Sequence, residues 1–363
     1  MSKNIVICCD GTGNEYGENN SNVVKLFRAL AKDPNQVAFY DPGVGTMSSP
    51  GAISWLAKKW TLLIGMAFGY GLSANISHAY TYLMNRYEPG DKIYLFGFSR
   101  GAYTVRALAG LLHARGLLEK GSENLIPYAL KLFRQEKPDR EEMCRGFKST
   151  FSRDCDTYFI GVWDTVSSVG WILNPVKLPY TANNPSLKVI RHAISIDERR
   201  CFFRQNVFLD EHNGQDLKEV WFAGVHSDIG GGYPEAESGL SKITLQWMAR
   251  ESGTAGLIFD QDELDRVLGI GMPGQGDENF VKPDYAGKLH NSLTANWWIL
   301  EFFPARRWRK INGQWVRKWT VPLGRSRVIP EGITVCQSVI DRKNNAACHY
   351  QPSNLPMAYN IEK

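Results

Sequence analysis

Residues 91–116 read DKIYLFGFSRGAYTVRALAGLLHARG and carry the clearest structural pattern in the chain. Residues 93–96 form a short apolar run with β-branched and aromatic side chains, which predicts a buried strand. Beyond Ser99, apolar residues recur at helical spacing as far as Gly116, and a glycine is typical of a helix end. The sequence therefore predicts a strand, a tight turn and a helix, with Ser99 on the turn.

The turn carries the pattern G-x-S-x-G, written here as Gly97-Phe98-Ser99-Arg100-Gly101. Between a strand and a helix, this pattern forms a sharp bend that presents the serine as a nucleophile. The two glycines let strand and helix approach without a clash of Cβ atoms. The Arg100 amide would lie at the helix N-terminus, where unpaired N–H groups favour an oxyanion. The alternative is a plain turn whose serine caps the helix.

The rest of the chain alternates apolar runs with helical patterns, which is typical of a mostly parallel central sheet flanked by helices. Strands are predicted at residues 4–9, 37–40, 93–96, 158–163 and 219–225, and helices at 22–31, 73–87, 122–150, 185–200 and 240–251. We expect an α/β catalytic core over residues 1–240. Residues 241–363 would form a less regular elaboration packed on the core, or continue it as one domain.

Composition limits the classes of function. The 363 residues, 43% hydrophobic and 22% charged, suit a globular protein, and a net charge of +5 is too small to indicate nucleic acid binding. The seven cysteines form no C-x-x-C pair, so we expect free thiols in a reducing compartment. No signal peptide is recognisable, and the longest apolar run, 60–72, is too short to span a bilayer. We expect a cytoplasmic protein, whose export would need a signal-independent secretion system.

Polar residues follow the predicted strands at their carboxyl ends, where open parallel sheets bind ligands. Asp10, Ser99, Asp164 and His226 each come directly after a strand. The last three follow the chain order Ser, Asp, His that is found in α/β-hydrolases. In such a triad Ser99 attacks a carbonyl, His226 takes its proton, and Asp164 orients the imidazole and stabilises its charge.

Each triad position has alternatives in the sequence. Asp164 could instead cap a turn, and Asp197 and Asp228 are alternative acids. His349 is an alternative base, since triad histidines often stand late in the chain, while His226 could be a buried structural histidine. Three further histidines lie on predicted helices and are weaker candidates: His78, His113 and His192.

The turn after the first strand reads Asp10-Gly11-Thr12. D-G-T also occurs in phosphatases, whose aspartate nucleophile stands two residues earlier, but that position is Cys8 here. The lysine of a phosphate-binding P-loop is also missing. We expect the amides of Gly11 or Thr12 to supply a second oxyanion donor beside Arg100, unless Asp10 only shapes the turn.

Residues 306–319 interleave tryptophans with cations around Asn312-Gly313, which is a strong signal for a two-residue β-hairpin. Tryptophan and basic side chains together suit contact with an anionic membrane surface. The alternative is a solvated hairpin that packs its tryptophans on the main domain.

Five segments together carry a family resemblance: CDGTGN, LFGFSRGAYTVRALAG, VWDTV, RHAISIDERR and WFAGVHSDIGGGY. The set is similar to the DUF2235 family, whose members resemble the catalytic domain of Tle1-type phospholipase effectors of bacterial type VI secretion. The resemblance spans residues 3 to 240 and continues more weakly through GRSRVIPEG and YQPSNLP. It implies an α/β-hydrolase fold and esterase or phospholipase chemistry, with Ser99 as nucleophile and Asp164 and His226 as acid and base.

These observations predict a serine hydrolase for carboxylic esters, including phospholipid acyl esters, that needs no metal or organic cofactor. A second hypothesis is a metal-dependent phosphoesterase that uses Asp10, Asp164, His226 and Asp228, although it leaves Ser99 without a role. A third is a non-catalytic binding module on a hydrolase scaffold. The sequence does not predict an oligomeric state.

Overall fold

The computed structural model describes residues 2–11, 16–43, 70–134, 141–166, 170–171, 174–175, 178–208, 214–270, 280–302, 304–311 and 314–363. Its strands are β1 (Asn4–Cys9), β2 (Gln36–Asp41), β3 (Lys92–Phe98), β4 (Leu117–Leu118), β5 (Ser152–Arg153), β6 (Thr157–Trp163), β7 (Gly170–Trp171), β8 (Asn174–Pro175), β9 (Val189–Ser195), β10 (Asp216–Phe222), β11 (Ala305–Ile311), β12 (Gln314–Thr320), β13 (Thr334–Cys336) and β14 (Asn360–Glu362).

The α-helices are α1 (Asn22–Ala29), α2 (Tyr70–Arg86), α3 (Arg100–Arg115), α4 (Ile126–Arg134), α5 (Glu141–Phe151), α6 (His226–Gly230), α7 (Gly239–Thr254), α8 (Gln261–Val267), α9 (Ala295–Glu301) and α10 (Gln337–Asn344). Single turns of 3₁₀ helix lie at Glu123–Leu125, Glu235–Glu237 and Ala346–Cys348. In the part of the chain covered by these ranges, no helix is long and apolar enough to cross a membrane.

Eight strands form the central sheet in the order β14-β13-β10-β9-β6-β3-β1-β2. Every neighbouring pair in this sheet is parallel, so the predicted mostly parallel sheet is confirmed. Five adjacent strands, β10 to β1 in this order, carry the candidate site at their carboxyl ends. Parallel pairing matters for function because it brings those ends to one edge of the sheet.

Helices cover both faces of the sheet and bury its alternating side chains. Along β1, Ile5 and Ile7 pack with α2 to α5 on one face, whereas Val6 and Cys8 pack with α1, α7 and α8 on the other. Strands buried on both faces read as continuous apolar runs, which is how β1 and β3 could be recognised.

One element of the sequence prediction is wrong: residues 185–200, predicted as a helix, contain strand β9. Arg191 and His192 interrupt the apolar pattern of a strand, and both are buried. Arg191 Nε donates to Glu251 Oε2 at 2.6 Å, and His192 Nδ1 lies 2.8 Å from Glu219 Oε1. Because these partners satisfy the polar side chains, a central strand can hold them.

Two other predictions change in detail. Within the single helix expected over residues 122–150, the structure describes a 3₁₀ turn at Glu123–Leu125 and the helices α4 and α5. The glycine-rich loop expected after His226 begins with the short helix α6. Thr12, Asn312-Gly313 and residues 60–69 of the apolar run lie outside the described residues.

The C-terminal third is built onto the same sheet. Strands β13 and β14 extend it beyond β10, and the predicted boundary at residue 240 falls inside helix α7. The predicted hairpin is present in the backbone, as β11 pairs antiparallel with β12.

Candidate active site

Ser99 lies on a strained turn between β3 and α3. Its φ of 58° and ψ of −116° place it in a region that residues other than glycine avoid. The turn is tied to β6: the Ser99 amide donates to Trp163 O at 3.1 Å, and the Val166 amide donates to Ser99 O at 3.5 Å. Such strain persists only where the surroundings impose it, and it is characteristic of functional residues.

The two glycines of the motif allow the close approach that the turn needs. A Cβ atom on Gly101 would lie 2.1 Å from Cys9 O and 2.5 Å from Asp10 O. One on Gly97 would lie 2.6 Å from the Gly101 carbonyl carbon. The end of β1 therefore packs directly against the start of α3, next to Ser99.

We predict that Ser99→Gly stabilises the fold even though it removes the candidate nucleophile. Backbone strain of this kind costs about 1–3 kcal/mol, and glycine loses about 0.5–1 kcal/mol more conformational entropy on folding. The free energy of unfolding should therefore rise by about 1 kcal/mol in urea titrations. The matched change Ser77→Gly, inside helix α2, should lower it by about 0.5 kcal/mol. A loss of stability in Ser99→Gly would contradict the strain.

Asp164 and His226 meet at the same edge of the sheet. His226 Nδ1 lies 2.6 Å from Asp164 Oδ2, and the two residues are 4% and 0% exposed. This contact leaves Nε2 as the nitrogen that can take a proton. Ser99 is 7% exposed, and the ring of its neighbour Phe98 packs on the imidazole with centroids 4.6 Å apart.

Close packing around α6 brings His226 to this position. A Cβ on Gly230 would lie 2.0 Å from the Phe98 ring, so only glycine lets α6 approach the nucleophile turn so closely. Phe203 also packs edge-on with the imidazole, with ring centroids 4.8 Å apart. The histidine ring is therefore held by two aromatic side chains.

The segment after β9 fixes the backbone before His226. Glu198 Oε2 accepts a hydrogen bond from the His226 amide at 3.2 Å, and Asp197 Oδ2 accepts one from Gly224 at 2.7 Å. Arg200 pairs with Glu198 through Nε and Nη2 at 3.0 and 2.9 Å, and lowers the pKa of that carboxyl against the effect of its burial. Strand β9 thus supports the site although it supplies no triad member.

Arg327 holds the other side of Asp164. Its Nη1 donates to Oδ1 at 2.6 Å and its Nη2 to Oδ2 at 2.9 Å, while the Ser195 amide donates to Oδ1 at 3.0 Å. Burial alone would raise the pKa of Asp164, but Arg327 and His226 outweigh it and hold that pKa well below its usual range. The carboxylate is therefore ionised.

Burial lowers the pKa of His226, although Asp164 opposes this shift. A neutral imidazole is the form that can act as a base. Within the described residues, Ser99 Oγ makes no hydrogen bond, and His226 Nε2 makes none either. Such catalytic bonds often tighten only when substrate is bound.

The oxyanion candidates lie around the same turn. Arg100 is the first residue of α3, and burial lowers the pKa of its side chain to about 10. The Gly11 amide donates to Asp10 Oδ1 at 2.6 Å. Its carbonyl closely contacts Gly43, where a Cβ would lie 1.9 Å from Gly11 O. The structure thus places the Gly11 segment beside the nucleophile turn, with its amide directed to Asp10.

The competing acids have other partners. Asp228 accepts hydrogen bonds from the Val225 amide at 3.0 Å and from His290 Nδ1 at 2.6 Å. Asp197 accepts one from Tyr350 Oη at 2.9 Å, and burial raises its pKa to about 6. Both carboxylates support the loop around α6 rather than the imidazole of His226.

The competing histidines lie elsewhere. His349 is exposed at the end of the last 3₁₀ turn, with a left-handed φ of 45°. His192 is buried and paired with Glu219, and burial lowers its pKa. His78 and His113 lie on α2 and α3 as predicted, where His113 packs edge-on against Tyr180.

Of the donors proposed for a metal site, Asp164 and His226 contact each other, and Asp10 and Asp228 have different partners. Asp10 binds the Gly11 amide, Ser21 Oγ at 2.5 Å and Tyr40 Oη at 3.0 Å. Asp164 and Asp228 are occupied as described above. Across the ranges that the structure describes, His, Cys, Asp and Glu side chains form no group of three that could hold a metal ion. The arrangement of these donors does not favour the phosphoesterase hypothesis.

Sequence reasoning missed two supporting residues, Glu198 and Arg327. Glu198 stands in RHAISIDERR, a segment predicted as a helix that contains the end of strand β9. Arg327 stands in GRSRVIPEG, which carried only a weak resemblance, 163 residues from its partner Asp164. The sequence pattern holds no signal for that pairing.

The chain has an α/β-hydrolase fold, because its parallel sheet carries helices on both faces. A serine, an aspartate and a histidine stand at the strand ends in the chain order of that fold. The model of the type VI secretion phospholipase effector Tle1-like catalytic domain matches residues 3–251. The chain belongs to this family, whose named activity is the hydrolysis of ester bonds in phospholipids.

A yeast protein matches nearly the whole chain. The uncharacterized protein YEL023C of Saccharomyces cerevisiae is 35% identical over an alignment 557 residues long, which covers 98% of this chain and 80% of that protein.

Two solved structures match more distantly. One is an uncharacterized protein from Pseudomonas aeruginosa, 20% identical with a TM-score of 0.42 over 76% of this chain and 48% of its own. The other is the Tle1 effector bound to the VgrG spike of the type VI secretion system, 21% identical with a TM-score of 0.37 over 66% of this chain and 53% of its own. The chain spans about half the length of each.

Proposed function

We propose that this chain is a serine hydrolase that cleaves carboxylic esters through an acyl-enzyme, and that phospholipid acyl esters are its substrate class. The observation that carries the proposal is the contact between His226 and ionised Asp164 beside the strained turn of Ser99. Membership of a phospholipase family supports the substrate class.

The first half of the reaction forms the acyl-enzyme. Ser99 Oγ attacks the carbonyl carbon while His226 Nε2 takes the serine proton. Asp164 accepts the hydrogen bond from Nδ1–H, which fixes the tautomer and stabilises the imidazolium. His226 then gives the proton to the alcohol oxygen as the C–O bond breaks and the alcohol leaves.

The second half returns the enzyme to its starting state. His226 takes a proton from water, whose oxygen attacks the acyl carbon bound to Ser99. Collapse of the intermediate releases the carboxylic acid, and the proton passes from His226 to Ser99 Oγ. The atoms balance as one ester and one water giving one acid and one alcohol.

Backbone amides would stabilise the negative oxygen in both steps. The Arg100 amide at the start of α3 is the first donor that we propose. Gly11 or Thr12 would supply the second. Because the Gly11 amide donates to Asp10, it could serve only if that bond opens when substrate binds.

Product analysis with a soluble short-chain phosphatidylcholine tests this function. We expect free fatty acid and lysophospholipid, at a rate that EDTA leaves unchanged. Release of the phosphate-bearing head group without fatty acid would contradict the proposal, because it would show cleavage of the phosphoester bond.

We also propose that the hairpin of β11 and β12 contacts an anionic membrane surface. Its backbone register sets three tryptophan positions opposite cation positions: Arg306 with Trp319, Trp308 with Arg317, and Lys310 with Trp315. Tryptophans interleaved with cations along a hairpin suit the head-group region of a bilayer.

We expect the change of Arg306, Arg307, Arg309 and Lys310 to glutamine to weaken sedimentation with anionic vesicles at least about tenfold, since each cation near such a surface adds about 1 kcal/mol. Added salt should weaken binding of the unmodified protein.

A control variant with the same change in net charge replaces Lys131, Arg134, Arg145 and Lys148, on α4 and α5, with glutamine. It should bind vesicles like the unmodified protein, and both variants should hydrolyse a soluble short-chain ester normally. Equal binding by the hairpin variant and the unmodified protein would refute the membrane contact.

A further inference from the structure

Asp164 has a cation as its second partner, and this cation comes from the far end of the chain. We propose that Arg327 is a positioning residue of the triad, which fixes the plane of the Asp164 carboxylate and balances its charge so that His226 stays neutral and correctly oriented. The inference rests on the proposed function and adds a residue from outside the matched family span of 3–251.

The hydrogen bonds around Asp164 fix the geometry of its carboxylate. Each carboxylate oxygen accepts two: Oδ1 from Ser195 N and Arg327 Nη1, and Oδ2 from Arg327 Nη2 and His226 Nδ1. A guanidinium that binds both oxygens fixes the carboxylate plane, which a single donor cannot do. That plane sets the direction in which Oδ2 holds the imidazole.

Arg327 is itself held independently of Asp164. Its Nη1 donates to Ser195 O at 3.1 Å and its Nη2 to Phe203 O at 2.6 Å. The Asn354 side chain donates to Arg327 O at 3.2 Å, and the arginine side chain is 4% exposed. The guanidinium therefore has partners besides Asp164 that hold it in place.

The charges around Asp164 and His226 also support the proposal. Arg327 is a cation that bonds to the Asp164 carboxylate. Nearby, His192 Nε2 accepts a hydrogen bond from the Thr165 amide at 3.3 Å. Around His226 lie Asp164 and the ion pair of Glu198 with Arg200. Because Glu198 is already paired, the charge on Asp164 is balanced mainly by Arg327.

The direction in which removal of Arg327 shifts the two pKa values can be predicted. An opposite charge favours the ionised carboxylate, so its loss raises the pKa of Asp164. Loss of positive charge near the pair also favours the imidazolium, which raises the pKa of His226. Protonation of either group stops catalysis, so both effects move the acid limb of the kcat/KM profile to higher pH.

The test measures kcat/KM against pH for a soluble p-nitrophenyl ester. In Arg327→Met we expect a loss of roughly a hundredfold at neutral pH, as for a misplaced catalytic group, and an acid limb raised by about one pH unit or more. Arg327→Lys keeps the charge without the fork, so its loss should be smaller and its acid limb nearly unmoved. Arg325→Met, which changes an exposed arginine two residues away, should match the unmodified protein.

Stability is measured on the same variants, because removal of one partner of a buried ion pair costs about 3–5 kcal/mol. If Arg327→Met does not fold, the test uses Arg327→Lys and Arg327→Ala instead. Arg327→Ala is assayed with free guanidinium added well below denaturing concentrations. Guanidinium should restore activity to Arg327→Ala, and ammonium should restore less.

A folded variant with lower Tm but an unmoved acid limb would overturn the inference, because Arg327 would then only hold the turn around Phe203. Failure of the proposed function gives a different result: the unmodified protein would not hydrolyse the ester, or Ser99→Ala would retain activity.

Discussion

Ser99→Ala should reduce kcat for ester hydrolysis by on the order of a millionfold, since loss of a triad nucleophile removes the covalent route. The structure explains why the fold should survive. The change deletes one oxygen at a turn whose backbone is held by Trp163 and Val166. We expect Tm to move by no more than about 1–2 °C, which corresponds to about 1 kcal/mol in a chain of this size.

The control for this substitution is Ser77→Ala on α2, whose hydroxyl donates to Ser73 O in the preceding turn. It should leave both kcat and Tm unchanged. If Ser99→Ala hydrolyses p-nitrophenyl esters at the rate of the unmodified protein, Ser99 is not the nucleophile. This holds whatever the substitution does to stability.

His226→Ala should lose activity to nearly the same degree as Ser99→Ala, because triad members act as a unit and their losses do not add. The double variant should therefore be hardly worse than either single variant. His349→Ala changes an exposed side chain at a 3₁₀ turn and should leave kcat/KM within about twofold.

The opposite pattern, an active His226→Ala and an inactive His349→Ala, would move the base to the C-terminal segment. Because His226 is buried against Phe98 and Phe203, the alanine change also leaves a cavity. His226→Gln fills more of that space and should be equally inactive, which separates loss of the base from loss of stability.

Local sequence was enough to predict the nucleophile turn and most of the sheet. An apolar run, G-x-S-x-G and a helical period lie within residues 91–116, and each element of that pattern is present. The meeting of Asp164 with His226 could also be expected, since both follow strands and parallel strands end at one edge. These inferences need only neighbouring residues and one topological rule.

Strand β9 and Arg327 could not be predicted for two different physical reasons. Strand β9 contains Arg191 and His192, which resemble a solvated helix face until their buried partners are known. Arg327 binds Asp164 across 163 residues of chain, and only the folded sheet brings them together. Long-range pairing of buried charges has no local pattern.

The most direct test of the central claim is covalent labelling by a fluorophosphonate, followed by mass spectrometry of the labelled peptide. We expect one adduct per chain, on Ser99, that is lost in Ser99→Ala and is strongly slowed in His226→Ala. An adduct on another residue, or esterase activity that persists while Ser99 stays unlabelled, would contradict it.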